Sequence, residues 1–238
     1  MADPRVDKID MRFVLYDRDV LDRVDTNWFQ ESYWRKRDLV LDEVFGRGST
    51  LFVSQLDEVW VLRHYRRGGF MTRFTEDKYF WMGLEHTRAF REWRLLSELF
   101  DRNMPVPRPV AAYVSREGLS YRASLITACI QNSQSLASMI SGGLVREFHW
   151  QSIGNTLRRF HDKNVNHMDL NAHNILIDEQ QRIFIVDFDK GGFRRDGAWK
   201  KNNVDRLLRS LRKISLETGT IFDEDGWSCM LSSYHSAS

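Results

Sequence analysis

Apolar residues in the second half of this chain recur at steps of three and four. Trp150, Ile153, Leu157 and Phe160 follow that spacing and predict a strong amphipathic helix, with Asn164 as its C-cap. Phe90, Trp93, Leu96 and Phe100 repeat the pattern within residues 84–100, and Leu207, Leu208 and Leu211 within residues 204–214. Elsewhere the character changes. Val59-Trp60-Val61-Leu62-Arg63-His64-Tyr65 is β-branched and aromatic and reads as a strand. Residues 44–53, an apolar run broken by Gly46 and Gly48, read as its antiparallel neighbour, and residues 120–130 as another strand. Ile175-Leu176-Ile177 and Ile183-Phe184-Ile185-Val186 flank a polar turn and predict a hairpin. Pro105, Pro107 and Pro109 forbid helix and mark an extended crossing. A short helix is expected around Leu136–Met139, broken at Gly142-Gly143. The first forty residues are mixed; Thr26-Asn27-Trp28-Phe29 is the expected cap segment of a short helix carrying Trp28, Phe29, Tyr33 and Trp34.

Strands, one helix, strands, then helices with an inserted hairpin predict an α+β chain. The expected form is a two-lobed fold with a small antiparallel-sheet N-lobe, residues 1–127, and a mainly helical C-lobe, residues 128–238.

Composition narrows the class. The chain has 238 residues, 42% of them hydrophobic and 13% aromatic, enough for a sizeable core. A net charge of +2 does not describe a general nucleic-acid binder. The cations are clustered, however, at 35–37, 63–67, 194–195, 200–201 and 206–213. Each cluster reads singly as a solvated face, and together they suit an anionic acceptor or membrane surface. Cys129 and Cys229 have no metal-binding spacing and no disulfide pattern, which favours a reducing cytosol. No signal-peptide core and no apolar stretch long enough to span a membrane is visible, so a soluble or peripheral protein is expected. No obligate protein partner is evident.

The chemistry-bearing residues lie in His167-Met168-Asp169-Leu170-Asn171-Ala172-His173-Asn174, with Asp187 eighteen residues after Asp169 at the end of an apolar strand. Carboxylate, amide and carboxylate in this order are what phosphoryl transfer from ATP needs. Asp169 is the candidate base or orienting group for an acceptor hydroxyl; Asn174 and Asp187 are candidate Mg2+ ligands. Read singly, Asp169 could cap a turn, Asn174 could be a turn residue and Asp187 could end a strand; their common register favours the catalytic reading. His167 and His173 are expected to hold the loop by hydrogen bonds, and Asp189 reads as a loop acid or else a second metal neighbour. Gly46 and Gly48 would let backbone amides approach phosphates, or form a plain hairpin turn. Arg63 would reach the phosphates, or be a surface strand residue; its ion-pair partner should be Glu92, with Glu85 second. In this layout the catalytic loop and Asp187 would face a cleft between lobes where ATP sits.

On these residues the chain resembles the protein-kinase-like superfamily and, more closely, the lipopolysaccharide core kinase family that phosphorylates 3-deoxy-D-manno-octulosonic acid (Kdo). The likeness covers about 44–214. It is carried by 46–50, 60–69, 167–176 and Asp187-Phe188-Asp189-Lys190-Gly191. It implies ATP- and Mg2+-dependent phosphorylation of the O-4 hydroxyl of Kdo–lipid A by a peripheral enzyme at the cytoplasmic face of a Gram-negative inner membrane. Arg66, Arg67 and Lys190 would then meet the acceptor's anionic groups. The next expected helix follows Asp187 within about a dozen residues, with no Ala-Pro-Glu anchor, which argues for a small or glycan acceptor over a peptide.

A heptose kinase or small-molecule kinase would share the fold. A silent kinase-like scaffold usually loses a catalytic Asp or metal ligand, and none is lost. An iron oxygenase could begin with His167-x-Asp169, but the only later His beyond His173 is His235, in what reads as a polar tail. His161-Asp162 alone does not make a phosphohydrolase.

Overall fold

A computed structural model describes residues 3–45, 49–55, 57–65 and 78–236. Gly46, Gly48, Arg66 and Arg67 lie outside the described residues. The architecture is α+β, with antiparallel sheets and, among the described residues, six α-helices. Two compact units divide it. One comprises Met1–Arg102 with Pro107–Cys129, the other Asn103–Val106 with Ile130–Ser238.

The first unit is built on an antiparallel sheet. Its strands in chain order are β1 (Pro4–Ile9), β2 (Arg12–Asp17), β3 (Val40–Phe45), β4 (Ser49–Gln55), β5 (Glu58–His64), β6 (Tyr79–Phe80), β7 (Pro109–Glu117) and β8 (Ser120–Ala128). In space they run β1-β2-β7-β8-β5-β4-β3, with β6 also pairing β8. The sequence pattern predicted β5 and β8, and one strand over 44–53 where β3 instead ends at Phe45 and β4 begins at Ser49; it left β1, β2, β6 and β7 unassigned. The short N-terminal helix divides in two. A 3-10 turn, Thr26–Phe29, is capped by Asp25, whose side chain accepts from the Asn27 N–H, so the cap lies one residue before the expected segment; α1 (Glu31–Arg35) follows.

Alternation along β5 decides what each sheet face does. Trp60 and Leu62 join Trp28, Phe29, Trp34, Val53 and Ile126 in one buried cluster. There the Trp28 and Trp60 rings meet edge-on at 5.3 Å, and Trp34 Nε1 donates to the Trp28 carbonyl at 2.7 Å. The next residue, Arg63, points the other way, to α2 (Arg88–Asp101), which packs on β7 and β8 through a face that includes Phe90, Trp93, Leu96 and Leu99. The helix expected over 84–100 thus begins later, after a separate 3-10 turn at Leu84–His86, because Thr87 is extended.

In the second unit, β9 (Ser133–Ser135) pairs with the hairpin of β11 (Ile175–Asp178) and β12 (Ile183–Ile185), while β10 (Val165–Asn166) pairs with β13 (Gly192–Phe193). The helices are α3 (Leu136–Ser141), α4 (Glu147–Asp162), α5 (Trp199–Thr218) and α6 (Glu224–Ser236). Trp150, Ile153, Leu157 and Phe160 form the buried stripe of α4. Lys163 is the C-cap of α4, and Asn164 follows in the left-handed region at φ 58°. Asn tolerates that conformation better than most residues, which suits it to the place just after the observed cap rather than to the cap itself.

The expected polar tail is a helix. On α6, Trp227 and Met230 are buried, and α6 packs on α4 where Gly154 stands. A Cβ at Gly154 would lie 2.3 Å from the Met230 carbonyl oxygen, so only glycine permits this close crossing.

Candidate active site

The loop from Asn166 to Asn174 is shaped by its own side chains first. Asn171 caps the short 3-10 turn Ala172–Asn174 by accepting from the His173 N–H at 2.9 Å. The Nδ2 groups of Asn171 and Asn174 both donate to the Asp169 carbonyl, at 2.9 and 3.1 Å. That bond fixes the Asn174 amide, and among the described residues nothing donates to its Oδ1.

Two further bonds join this loop to the segment ending at Asp187. The Val186 N–H donates to the Asn174 carbonyl at 3.0 Å, and His167 Nε2 donates to the Val186 carbonyl at 2.9 Å. Burial depresses the pKa of His167, so the ring is neutral, with Nδ1 a buried acceptor that has no partner among the described residues. Asp187 comes next, at φ 66°. A left-handed non-glycine residue is strained, and the packing around it must hold it there. Phe188 supplies that hold: it is buried, stacks on Phe160 at 5.8 Å and meets the His167 ring edge-on at 4.6 Å.

Helix α5 clamps the same loop from outside. Asn203 Nδ2 donates to Asn166 Oδ1 at 3.0 Å, and its Oδ1 accepts from the His167 N–H at 3.2 Å. Arg206 Nη1 donates to Asp169 Oδ1 at 2.9 Å. Ser210 Oγ accepts from the Ala172 N–H at 3.1 Å. Positions i, i+3 and i+7 share one helix face, so these polar residues form a stripe beside buried Leu207 and Leu211. The sequence reading used the apolar residues of α5 and missed this stripe. Its signal was present as polar residues at helical spacing, but their partners lie across the fold. Leu208, expected on the apolar face, is only partly buried.

In the sheet unit, Arg63 Nη2 reaches both Glu92 carboxylate oxygens, at 2.6 and 2.5 Å. The Glu92 side chain is 1% exposed and also accepts from the Tyr65 hydroxyl at 2.6 Å, whereas the Arg63 side chain keeps 24% exposure. Glu85, the second choice of partner, pairs instead with Arg94.

The remaining histidines take other roles. His161 is buried with Nδ1 2.6 Å from the Tyr234 hydroxyl, and burial takes its pKa down to about 4, which makes it a packing group. His173 is exposed, and its side chain bonds to no described residue, contrary to the expected loop-holding bond.

Residues 31–234 match the Lipopolysaccharide kinase (Kdo/WaaP) family. The chain belongs to that family. It is 38% identical over 229 residues to a protein named 3-deoxy-D-manno-octulosonic acid kinase from Actinobacillus succinogenes, covering 93% of this chain and 95% of the relative. Proteins of the same name from Vibrio cholerae and Xylella fastidiosa are 39% and 41% identical over 202 residues, covering 85% and 84% of this chain and 86% and 80% of the relatives. Membership of a Kdo/WaaP kinase family implies ATP use and transfer of a phosphoryl group to a hydroxyl.

Magnesium takes hard oxygen donors and keeps several waters, so a few protein oxygens are sufficient. The amide oxygen of Asn174, turned away from its anchored Nδ2, and the carboxylate of Asp187 are donors of that kind, tied to one another through Val186. They fit the ion.

Proposed function

We propose that this protein is an ATP-dependent kinase that phosphorylates the O-4 hydroxyl of the Kdo sugar in Kdo–lipid A, a step of lipopolysaccharide inner-core biosynthesis. One observation carries the reading. The hydrogen bonds from Asn174 to Asp169, from Val186 to Asn174 and from His167 to Val186 bind all three chemistry-bearing residues into one framework.

In this reading Asp169 is the catalytic residue. The acceptor hydroxyl oxygen forms a bond to the γ-phosphorus, and the bond from that phosphorus to the bridging oxygen breaks, its electron pair leaving with ADP. The hydroxyl proton passes to the Asp169 carboxylate, a contribution of about 10²–10⁴-fold. Asn174 and Asp187 would hold Mg2+, which neutralises developing charge on the phosphates. Arg63, held by Glu92, with the backbone around Gly46 and Gly48, would contact the phosphates. The two units are read as the N-lobe and C-lobe of a kinase-like fold. The protein would act peripherally at the cytoplasmic face of the inner membrane, since its acceptor is a glycolipid and no described helix is long and apolar enough to cross a membrane.

The test is mass spectrometry of Kdo–lipid A after incubation with the protein, ATP and Mg2+. The expected product carries one added phosphate, located on Kdo by fragmentation. Phosphate found on another sugar, or no transfer, overturns the assignment.

A further inference from the structure

Arg206 makes a contact that stability does not require. Its side chain is 47% exposed and that of Asp169 50% exposed, and ion pairs so open to solvent contribute little to folding. The loop is already fastened on either side of Asp169, at Asn166 and His167 by Asn203 and at Ala172 by Ser210. Only Nη1 of Arg206 is engaged, and its other N–H groups meet no described residue. A guanidinium presents a planar fork of donors that matches a carboxylate in two parallel bonds.

The acceptor under the proposed function is a sugar acid, and it brings its own carboxylate close to the hydroxyl that reacts. We propose that Arg206 is a specificity-determining residue that reads this carboxylate and holds Asp169 in check until it arrives. Without acceptor, Arg206 rests on Asp169 Oδ1. A seated sugar acid competes for the guanidinium through its carboxylate, and Asp169 is released to take the hydroxyl proton. A neutral sugar offers no competing anion and leaves the base engaged. The exchange involves hydrogen bonds only, with no covalent change. This inference rests on the Kdo kinase reading.

The experiment compares kcat/KM of the full chain for detergent-dispersed Kdo–lipid A and for its Kdo carboxamide, which has the same shape but no charge. Wild type, Arg206→Lys and Arg206→Gln are assayed with ATP and Mg2+, and their melting temperatures are checked. The wild type is expected to prefer the acid by about tenfold to a hundredfold, the range of a hydrogen bond to a charged group. In Arg206→Gln the ratio should fall close to one, with Arg206→Lys intermediate. A purely structural role would lower both activities together and keep the ratio. An unchanged ratio in Arg206→Gln, or a wild type that does not discriminate, overturns the inference while leaving the kinase reading intact. A wild type that phosphorylates neither acceptor overturns the kinase reading and this inference with it.

Discussion

His167 Nε2 donates to the Val186 carbonyl across 2.9 Å, and this part-buried bond helps couple the Asp169 loop to the segment that ends in Asp187. His167→Ala removes the donor, takes the partner from the part-buried Val186 carbonyl and opens a cavity against Phe188. The expected cost is about 2–4 kcal/mol of stability, read by denaturant unfolding, together with weaker magnesium dependence of turnover. A variant as stable and active as wild type would show the bond to be dispensable.

Asp169→Asn should fold normally, because the pair it breaks is half exposed. Turnover should drop by at least roughly a hundredfold with little change in nucleotide binding. Wild-type turnover in a correctly folded variant removes Asp169 from the mechanism.

Glu92 is the buried member of the pair with Arg63. Glu92→Ala removes the carboxylate that the Arg63 guanidinium and the Tyr65 hydroxyl both donate to. A loss of up to about 3 kcal/mol in stability is expected, with a raised KM for ATP. Glu92→Gln should recover much of the stability but less of the nucleotide affinity. Equal KM values for ATP across the three proteins would detach Arg63 from the phosphates.

Stability should fall in mild acid. Burial lowers the pKa of His161 from 6.5 to about 4 and lowers that of His167 too. Below about pH 6.5 the unfolded chain binds protons that these folded rings refuse. Their contribution is therefore complete above pH 6.5 and shrinks as pH falls toward 4, by at most about 1.4 kcal/mol per pH unit for His161. Denaturation midpoints between pH 7.5 and 5 check the sign, and His161→Gln should flatten the slope. A midpoint independent of pH in the wild type contradicts the assignment.

Gly154→Ala tests the crossing of α4 and α6. Alanine favours helix by about 1 kcal/mol over glycine, but the new methyl would meet the Met230 carbonyl at 2.3 Å. Overpacking should win, giving a net loss of about 1–3 kcal/mol. A stabilised variant would mean that α6 is free to move aside.

The parts of the molecule that announce themselves along the chain are those whose burial is one-sided and regular. The stripe of α4 is visible because Trp150, Ile153, Leu157 and Phe160 face one core, and Arg63 toward α2 follows from the alternation of β5. β1 escaped because it is mostly exposed and charged, so only its pairing with β2 marks it as a strand. β2 carries Val14, Leu15 and Tyr16 buried in succession, which removes the alternation that would identify it. α6 escaped because its few apolar residues are set by a close backbone approach at Gly154, a tertiary matter. In the candidate site, the order of Asp169, Asn174 and Asp187 is written in the sequence. The left-handed turn at Asp187 and the grip of Arg206 on Asp169 depend on residues distant along the chain.

Because Asn203, Arg206 and Ser210 each seize a different point of one loop, α5 works as a ruler laid along it. Inserting a single alanine after Arg206 would turn Ser210 by about 100° and slide it by about 1.5 Å, while Asn203 kept its place. The loop could then satisfy one end of the ruler or the other, never both, so the phase of this helix is as much a determinant of the loop's shape as the loop's own residues.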